Sequence, residues 1–264
     1  MDLERISACT YPLRERDAEY ALGVLADSGV KKADLWGRMP HFSEDPEECD
    51  LDELMALSER LGVKIANLGT YPGGEFTAET AEERVAELSK MRVTIDAAVK
   101  LGARSIRVSP GHGEDPGIIE QVAPLMAESA AYAEQRGIYL GIENHGGGIA
   151  GDPQLCKRLC EAVGSPHFGV LYEPCNLLAI EVDYREAFEV FSDHIVHIHV
   201  KDGAWGDEGF ARCHLGEGDI DLAWVVEAME SIGYEGDYAL EYEITEIEPI
   251  ETGLARWLAY FREL

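Results

Sequence analysis

Three short segments of this 264-residue chain close apolar runs with carboxylates and imidazoles: Gly141-Ile142-Glu143-Asn144-His145, His197-Ile198-His199-Val200-Lys201-Asp202 and Leu240-Glu241-Tyr242-Glu243. Leu171-Tyr172-Glu173-Pro174 follows the same pattern. A strand whose buried body ends in ionisable side chains presents them at one rim of a sheet. One such glutamate is ordinarily a salt-bridge partner. Carboxylates gathered from four consecutive strands repel one another unless a cation sits among them. The set therefore predicts a divalent-metal site. Mixed carboxylate and imidazole donors, with carboxylates in excess, suit Mn²⁺, Mg²⁺ or Co²⁺ ahead of Zn²⁺. An ion held this way polarises hydroxyl and carbonyl oxygens of a bound substrate.

The elements that must carry these residues alternate along the whole chain. Short apolar, β-branched runs occupy Ile6–Thr10, Ala33–Gly37, Lys64–Thr70, Ser105–Ser109, Tyr139–His145, Phe168–Glu173, Ile195–Asp202 and Tyr238–Ile244. Amphipathic stretches separate them, among them Thr77–Leu101, in which apolar Val85, Leu88, Val93, Ala97 and Val99 stand among charges. Glycines such as Gly62 and Gly102 stand where helix C-caps belong, and Asp152-Pro153 gives an N-cap followed by a first-turn proline. Eight strands with intervening helices and no long polar linker predict an α/β fold, one (β/α)8 TIM barrel domain over residues 1–264. A doubly wound open sheet is the runner-up. It would carry a glycine fingerprint at its first βα turn, and Cys9-Thr10-Tyr11-Pro12 has none.

Composition narrows the function classes. No run approaches the ~18 apolar residues of a membrane span, and the first residues lack the basic and apolar regions of a signal peptide. The expectation is a cytoplasmic protein with no membrane partner. The six cysteines form no CxxC pair and read as reduced packing residues. The 51 acidic and 22 basic residues give a net charge of −29, with 15 Arg against 7 Lys. The acid is dispersed over helix-like segments, for example Glu15, Glu19 and Asp27, then Glu79, Glu82, Glu83 and Glu87. Such a charge repels itself at low salt and is screened where the Debye length falls to about 3 Å, near 1 M. This predicts a protein of a halophile. It also argues against nucleic acid, because neutralising phosphates needs a basic face.

The strand-end order Glu143, then Glu173-Pro174-Cys175-Asn176, then His199-Val200-Lys201-Asp202, then a Gly216-Glu217-Gly218 turn and Glu241, resembles the xylose isomerase-like TIM barrel superfamily of sugar and sugar-phosphate isomerases and epimerases. The resemblance covers essentially the whole chain. It implies one divalent metal held by Glu143, Glu173, His199 and Glu241. It also implies that Glu143 and Glu241 move the proton, as in the ketose 3-epimerase branch, through a metal-stabilised enediolate. Arg212, in Arg212-Cys213-His214-Leu215-Gly216-Glu217-Gly218, resembles an arginine that contacts substrate in that branch. Relatives are often dimers or tetramers. Two departures stand out: the usual strand-6 pattern is Asp-x-x-His, where this chain has Glu173 and Asn176, and the glutamate some epimerases carry six residues after the strand-5 ligand is Ile149 here.

Further residues complete the candidate site. His145 shares the parity of Glu143 and either touches substrate or serves as a buried structural histidine. Asn176 can hydrogen-bond a substrate oxygen but cannot shuttle a proton. Lys201 either binds a substrate oxygen or pairs with Asp202. His197 has the parity of His199 and is placed to orient a ligand. Trp36 and Tyr71 can wall a sugar pocket, His112 lies on a loop after strand 4, and Glu243 reads as a second acid beyond the metal ligands. The chemistry expected is proton transfer next to the carbonyl of a sugar, polyol or keto acid. The rivals are a dehydratase of the inosose or dehydroshikimate type, an apurinic-site endonuclease and a non-catalytic sugar-binding barrel. Eight histidines and the negative charge speak against the endonuclease, which needs a histidine-rich multi-zinc cluster and a basic rim.

Overall fold

Eight parallel strands close into a barrel with helices between them, in a computed structural model that describes residues 3–264. The strands are β1 (Ile6–Cys9), β2 (Lys32–Trp36), β3 (Lys64–Gly69), β4 (Ser105–Val108), β5 (Tyr139–Glu143), β6 (Phe168–Tyr172), β7 (Ile195–Val200) and, after a two-stranded antiparallel hairpin of β8 (Asp202–Gly206) and β9 (Gly209–Cys213), β10 (Tyr238–Leu240). The hairpin follows β7 directly and pairs Asp202 with Cys213 and Trp205 with Phe210. Alternation of barrel strands with helices gave no sign of it. The last barrel strand is also shorter than expected, so Glu241 and Glu243 lie just beyond it.

Packing divides the chain into two compact units, Met1–Ala66 with Ile198–Leu264, and Asn67–His197. Both divisions fall inside a barrel strand, β3 and β7, rather than in a linker. In the first unit β1 pairs with β10 (Ser7 with Ala239) and β2 (Cys9 with Asp34), and β10 pairs with β7 (Ala239 with His199). Its helices are α1 (Ala18–Asp27) and α2 (Leu51–Leu61), and later in the chain the helices over Leu222–Ser231 and Ile250–Arg262. In the second unit β4 pairs with β5 (Arg107 with Gly141) and β5 with β6 (Glu143 with Leu171). It carries α3 (Ala81–Leu101), α4 (Ile118–Glu134), α5 (Gly148–Gly151), α6 (Pro153–Val163), α7 (Pro174–Ala179) and α8 (Tyr184–Phe191).

Local chemistry accounts for the helix ends. Thr80 and Glu83 form a reciprocal capping box that starts α3 four residues later than the apolar pattern suggests. Gly62 ends α2 in a left-handed conformation (φ +68°) that a side chain would strain. Asp152 caps α6 ahead of Pro153, as expected.

Of the apolar residues in α3, Val85, Val93 and Val99 are exposed, whereas Met91, Ile95, Ala97, Ala98 and Leu101 are buried together with Thr94. Valines and alanines spread round this helix, so apolarity alone did not select the face that packs. Glu87, among the acids dispersed over the helices, does not face solvent. It is buried, and its carboxylate accepts the Gly73 N–H at 2.5 Å.

Candidate metal centre at the strand ends

The end of β5 delivers Glu143. Its carboxylate accepts from Arg107 Nη1 at 2.5 Å, and both side chains are largely buried. Arg107 comes from β4 and is fixed on its other edges by the Thr70 and Gly69 carbonyls, both at 3.2 Å. Its guanidinium lies 4.2 Å from the centre of the Tyr71 ring, a cation–π contact. Tyr71 is thus partly covered by an arginine. Past the strand, Asn144 is fully buried and His145 is exposed, so the inward parity expected for His145 ends with the strand at Glu143.

Glu173 follows β6 and caps α7. One carboxylate oxygen accepts the Cys175 N–H at 3.1 Å, and the Glu173 N–H donates to Asn144 Oδ1 at 3.3 Å. Pro174 at the first helical position suits this cap, since its missing N–H is one the helix leaves unused. Asn176, one turn into the helix, donates its amide to the Asn144 carbonyl at 3.0 Å. That donor therefore ties α7 to the end of β5.

On β7, His199 is buried, with Nε2 at 3.0 Å from Asp34 Oδ2 and Nδ1 at 3.6 Å from Glu241 Oε2. Burial pulls the imidazole down, but Cys9, Glu241 and Asp34 outweigh it and hold it well above the usual histidine range. The carboxylates are the effective charges here, because burial pushes the Cys9 thiol up and keeps it neutral. Lys201 is buried and donates to Glu241 Oε2 at 2.5 Å and Glu243 Oε2 at 2.8 Å. Burial pushes the Glu241 carboxyl up, but the Lys201 ammonium and His199 more than compensate and hold it well below the usual carboxylate range. Arg212, on β9, places Nη2 3.0 Å from the same Glu243 oxygen. Lys201, Glu241, Glu243 and Arg212 thus form one alternating chain of charges.

Asp202, the pairing partner once considered for Lys201, does something else. Its buried carboxylate accepts the N–H groups of Gly203, Gly216, Gly218 and Ile220, at 2.8 to 3.2 Å. This fastens the Gly-x-Gly turn beneath the hairpin. A Cβ at Gly218 would collide with that carboxylate, which explains glycine there.

Glu143, Glu173, His199 and Glu241 each offer a ligand atom, and the four atoms all lie within 4.8 Å of one another. Donors around one ion at bonds of about 2.1–2.2 Å lie no more than about 4.4 Å apart. Three carboxylates and one imidazole are a donor set for a hard divalent ion. The residues fit the metal.

The other sequence candidates have these contacts. Trp36 packs edge-on against Tyr11 and His41, in an aromatic cluster anchored on Thr10. His112 is exposed, beside Gly74 and with its backbone N–H on Thr77. His197 is buried on β7, two residues before His199. Two residues that the strand-end pattern did not select are Arg107 and Asp34. Each is a charge flanked by apolar residues within a strand, Ile106-Arg107-Val108 and Ala33-Asp34-Leu35. That local conflict was the available signal.

No helix among the described residues is long and apolar enough to cross a membrane. An uncharacterized protein of Methanocaldococcus jannaschii is 25% identical over 201 residues, 71% of this chain and 67% of that one. A xylose isomerase-like TIM barrel protein from Mycobacterium smegmatis, solved in complex with magnesium, superposes with a TM-score of 0.81 at 15% identity, over 100% of this chain and 97% of its own. D-allulose 3-epimerase from a Methylomonas species, in complex with D-allulose, gives 0.77 at 16% identity, over 98% and 96%. At these identities the two solved structures establish the fold alone. The profile of the xylose isomerase-like TIM barrel family matches residues 22–264, and the chain belongs to that family.

Proposed function

We propose that this protein is a divalent-metal-dependent isomerase or epimerase that moves a proton next to the carbonyl of a keto-sugar or related polyol. The observation that carries the reading is the meeting of Glu143, Glu173, His199 and Glu241 within one donor cluster. These four would hold the ion. When bound, a divalent ion stabilises the negative charge that develops on the carbonyl oxygen as the α-proton leaves.

The chain's own groups then divide the work. Glu143 takes the α-proton as general base, with Arg107 keeping its carboxylate in place. Glu241 serves the return step. Held well below the usual carboxylate range, it begins ionised, so the proton it hands on comes from the Lys201 ammonium hydrogen-bonded to it at 2.5 Å; before the next turnover Glu143 gives its proton to solvent and Lys201 regains one from solvent. Delivery to the other face of the same carbon is epimerisation, and delivery to the neighbouring carbon is isomerisation. Arg212, tied to Glu243 from the hairpin, is placed to meet substrate from outside.

Chelator-treated protein should lose all turnover and regain it with Mn²⁺, Mg²⁺ or Co²⁺, in a screen of ketoses, inososes and hydroxypyruvate run in molar KCl. Binding of abasic DNA, or a protein free of metal and inert to every substrate, would refute the reading. We also propose that the protein works in the cytoplasm of a halophile. Its acid is spread over exposed positions in helices, such as Glu19, Asp27, Glu82 and Glu83, and in the segments before them, such as Glu15 and Glu79. The melting temperature should climb steadily from low to molar KCl as that repulsion is screened. A flat profile would reject the saline assignment and leave the enzyme assignment standing.

A further inference from the structure

Asp34 is a charged residue in the middle of β2, buried, on a strand otherwise made of Lys32, Ala33, Leu35 and Trp36. Burying a carboxylate is expensive unless a donor meets it. His199 is such a donor: its Nε2 lies 3.0 Å from Asp34 Oδ2, and both side chains are 3% exposed. An ionised carboxylate only accepts hydrogen bonds, so Nε2 must carry the proton. The other nitrogen, Nδ1, faces the Glu241 carboxylate at 3.6 Å, and it is the one whose proton a metal ion would displace to gain a lone pair.

We propose that Asp34 is the positioning residue of His199: by accepting the Nε2 proton it fixes the tautomer and ring orientation that present Nδ1 as the nitrogen donor of the metal centre. The inference rests on the metal reading above. It adds a residue from a strand that contributes no ligand. Cys9, paired with Asp34 across β1 and β2, completes a second group of donors with Asp34 and His199. An ion bound there would need the space that the Asp34–His199 hydrogen bond occupies, so that trio serves as the support of the ring rather than as a site.

The test uses Asp34→Asn and Asp34→Ala in the full chain. Mn²⁺ binding is measured by calorimetry, and the ring nitrogens of His199 are followed by ¹⁵N NMR, with and without Mg²⁺. The wild type should show a strongly hydrogen-bonded, slowly exchanging Nε2 proton in both states. Asp34→Ala should lose that proton signature and bind Mn²⁺ about 10–100-fold more weakly. Asp34→Asn, whose amide oxygen still accepts, should keep the tautomer with a weaker hydrogen bond and a smaller loss of affinity.

Unchanged affinity and an unchanged Nε2 proton in either variant would overturn the proposal. So would a thiolate-to-cobalt charge-transfer band in the Co²⁺-loaded wild type, which would make Cys9 a ligand. Should Asp34→Ala fail to fold, the Asn variant decides alone. A wild type that binds no divalent ion refutes the metal reading, and the Nε2 proton then judges Asp34 by itself.

Discussion

Replacing Glu143 or Glu241 with glutamine should lower turnover by about 10³-fold or more, with the fold intact. Glutamine keeps an oxygen donor and nearly the same volume, so each variant should still bind a divalent ion, though more weakly. It cannot accept the α-proton or pass on the one returned. General acid–base groups contribute about 10²–10⁴-fold each, and here each glutamate is also a proposed ligand. The two substitutions should differ in their side effects. Glu143→Gln leaves Arg107 facing a neutral amide, while its bonds to the Thr70 and Gly69 carbonyls still hold it. Glu241→Gln takes from Lys201 one of the two carboxylates it donates to and leaves Glu243. Steady-state kinetics and exchange of the substrate α-hydrogen with deuterated solvent check both. Wild-type turnover in either variant refutes its role. Exchange that survives in one variant, while net conversion stops, would identify the other glutamate as the base.

Lys201→Met is expected to be the most destabilising of the site substitutions, by about 3–5 kcal/mol, because it strips the cation from two carboxylates at once. Lys201 and Glu241 are 3% and 7% exposed, so solvent cannot make up the loss. In a chain of this size that corresponds to a fall in Tm of roughly 10 °C.

The pH dependence gives the sign. The folded Glu241 carboxyl lies below its unfolded value, so its contribution to stability is complete above the unfolded range of about 4.3 and is lost as pH falls through the folded value. The gap in Tm between wild type and Lys201→Met should therefore be widest near neutral pH and narrow below about pH 4. Thermal melts at several pH values in constant KCl measure it. A gap that stays constant with pH would show that lost packing of the lysine stem, and not charge, accounts for the change.

Much of the fold was readable residue by residue. Eight apolar runs became eight barrel strands because strand length, glycine punctuation and helix caps are local properties, as at Gly62, Thr80 with Glu83, and Asp152-Pro153. The misreadings were equally local in origin. The apolar residues of α3 do not form a single stripe, so the pattern leaves open that Val85 and Val99 face solvent while Met91 and Ile95 fill the core. The parity of β5 was carried to His145, two residues past the point where the strand ends. The hairpin over Asp202–Cys213 interrupts the βα alternation and has no periodicity of its own.

The strand-end carboxylates and imidazoles, their order along the chain and the barrel that carries them were determined by sequence alone, because each depends on neighbours within a few residues. Which charge meets which was decided only by the tertiary structure. Asp34 and His199 are 165 residues apart, Lys201 and Glu241 are 40 apart, and Arg107 and Glu143 are 36 apart. No periodicity spans such separations, and like charges offer many equivalent pairings until the strands are closed into a barrel. Closure removes water and leaves each buried charge only the partners its own strand and neighbours bring within reach, so the geometry of the barrel selects among pairings that the sequence leaves open.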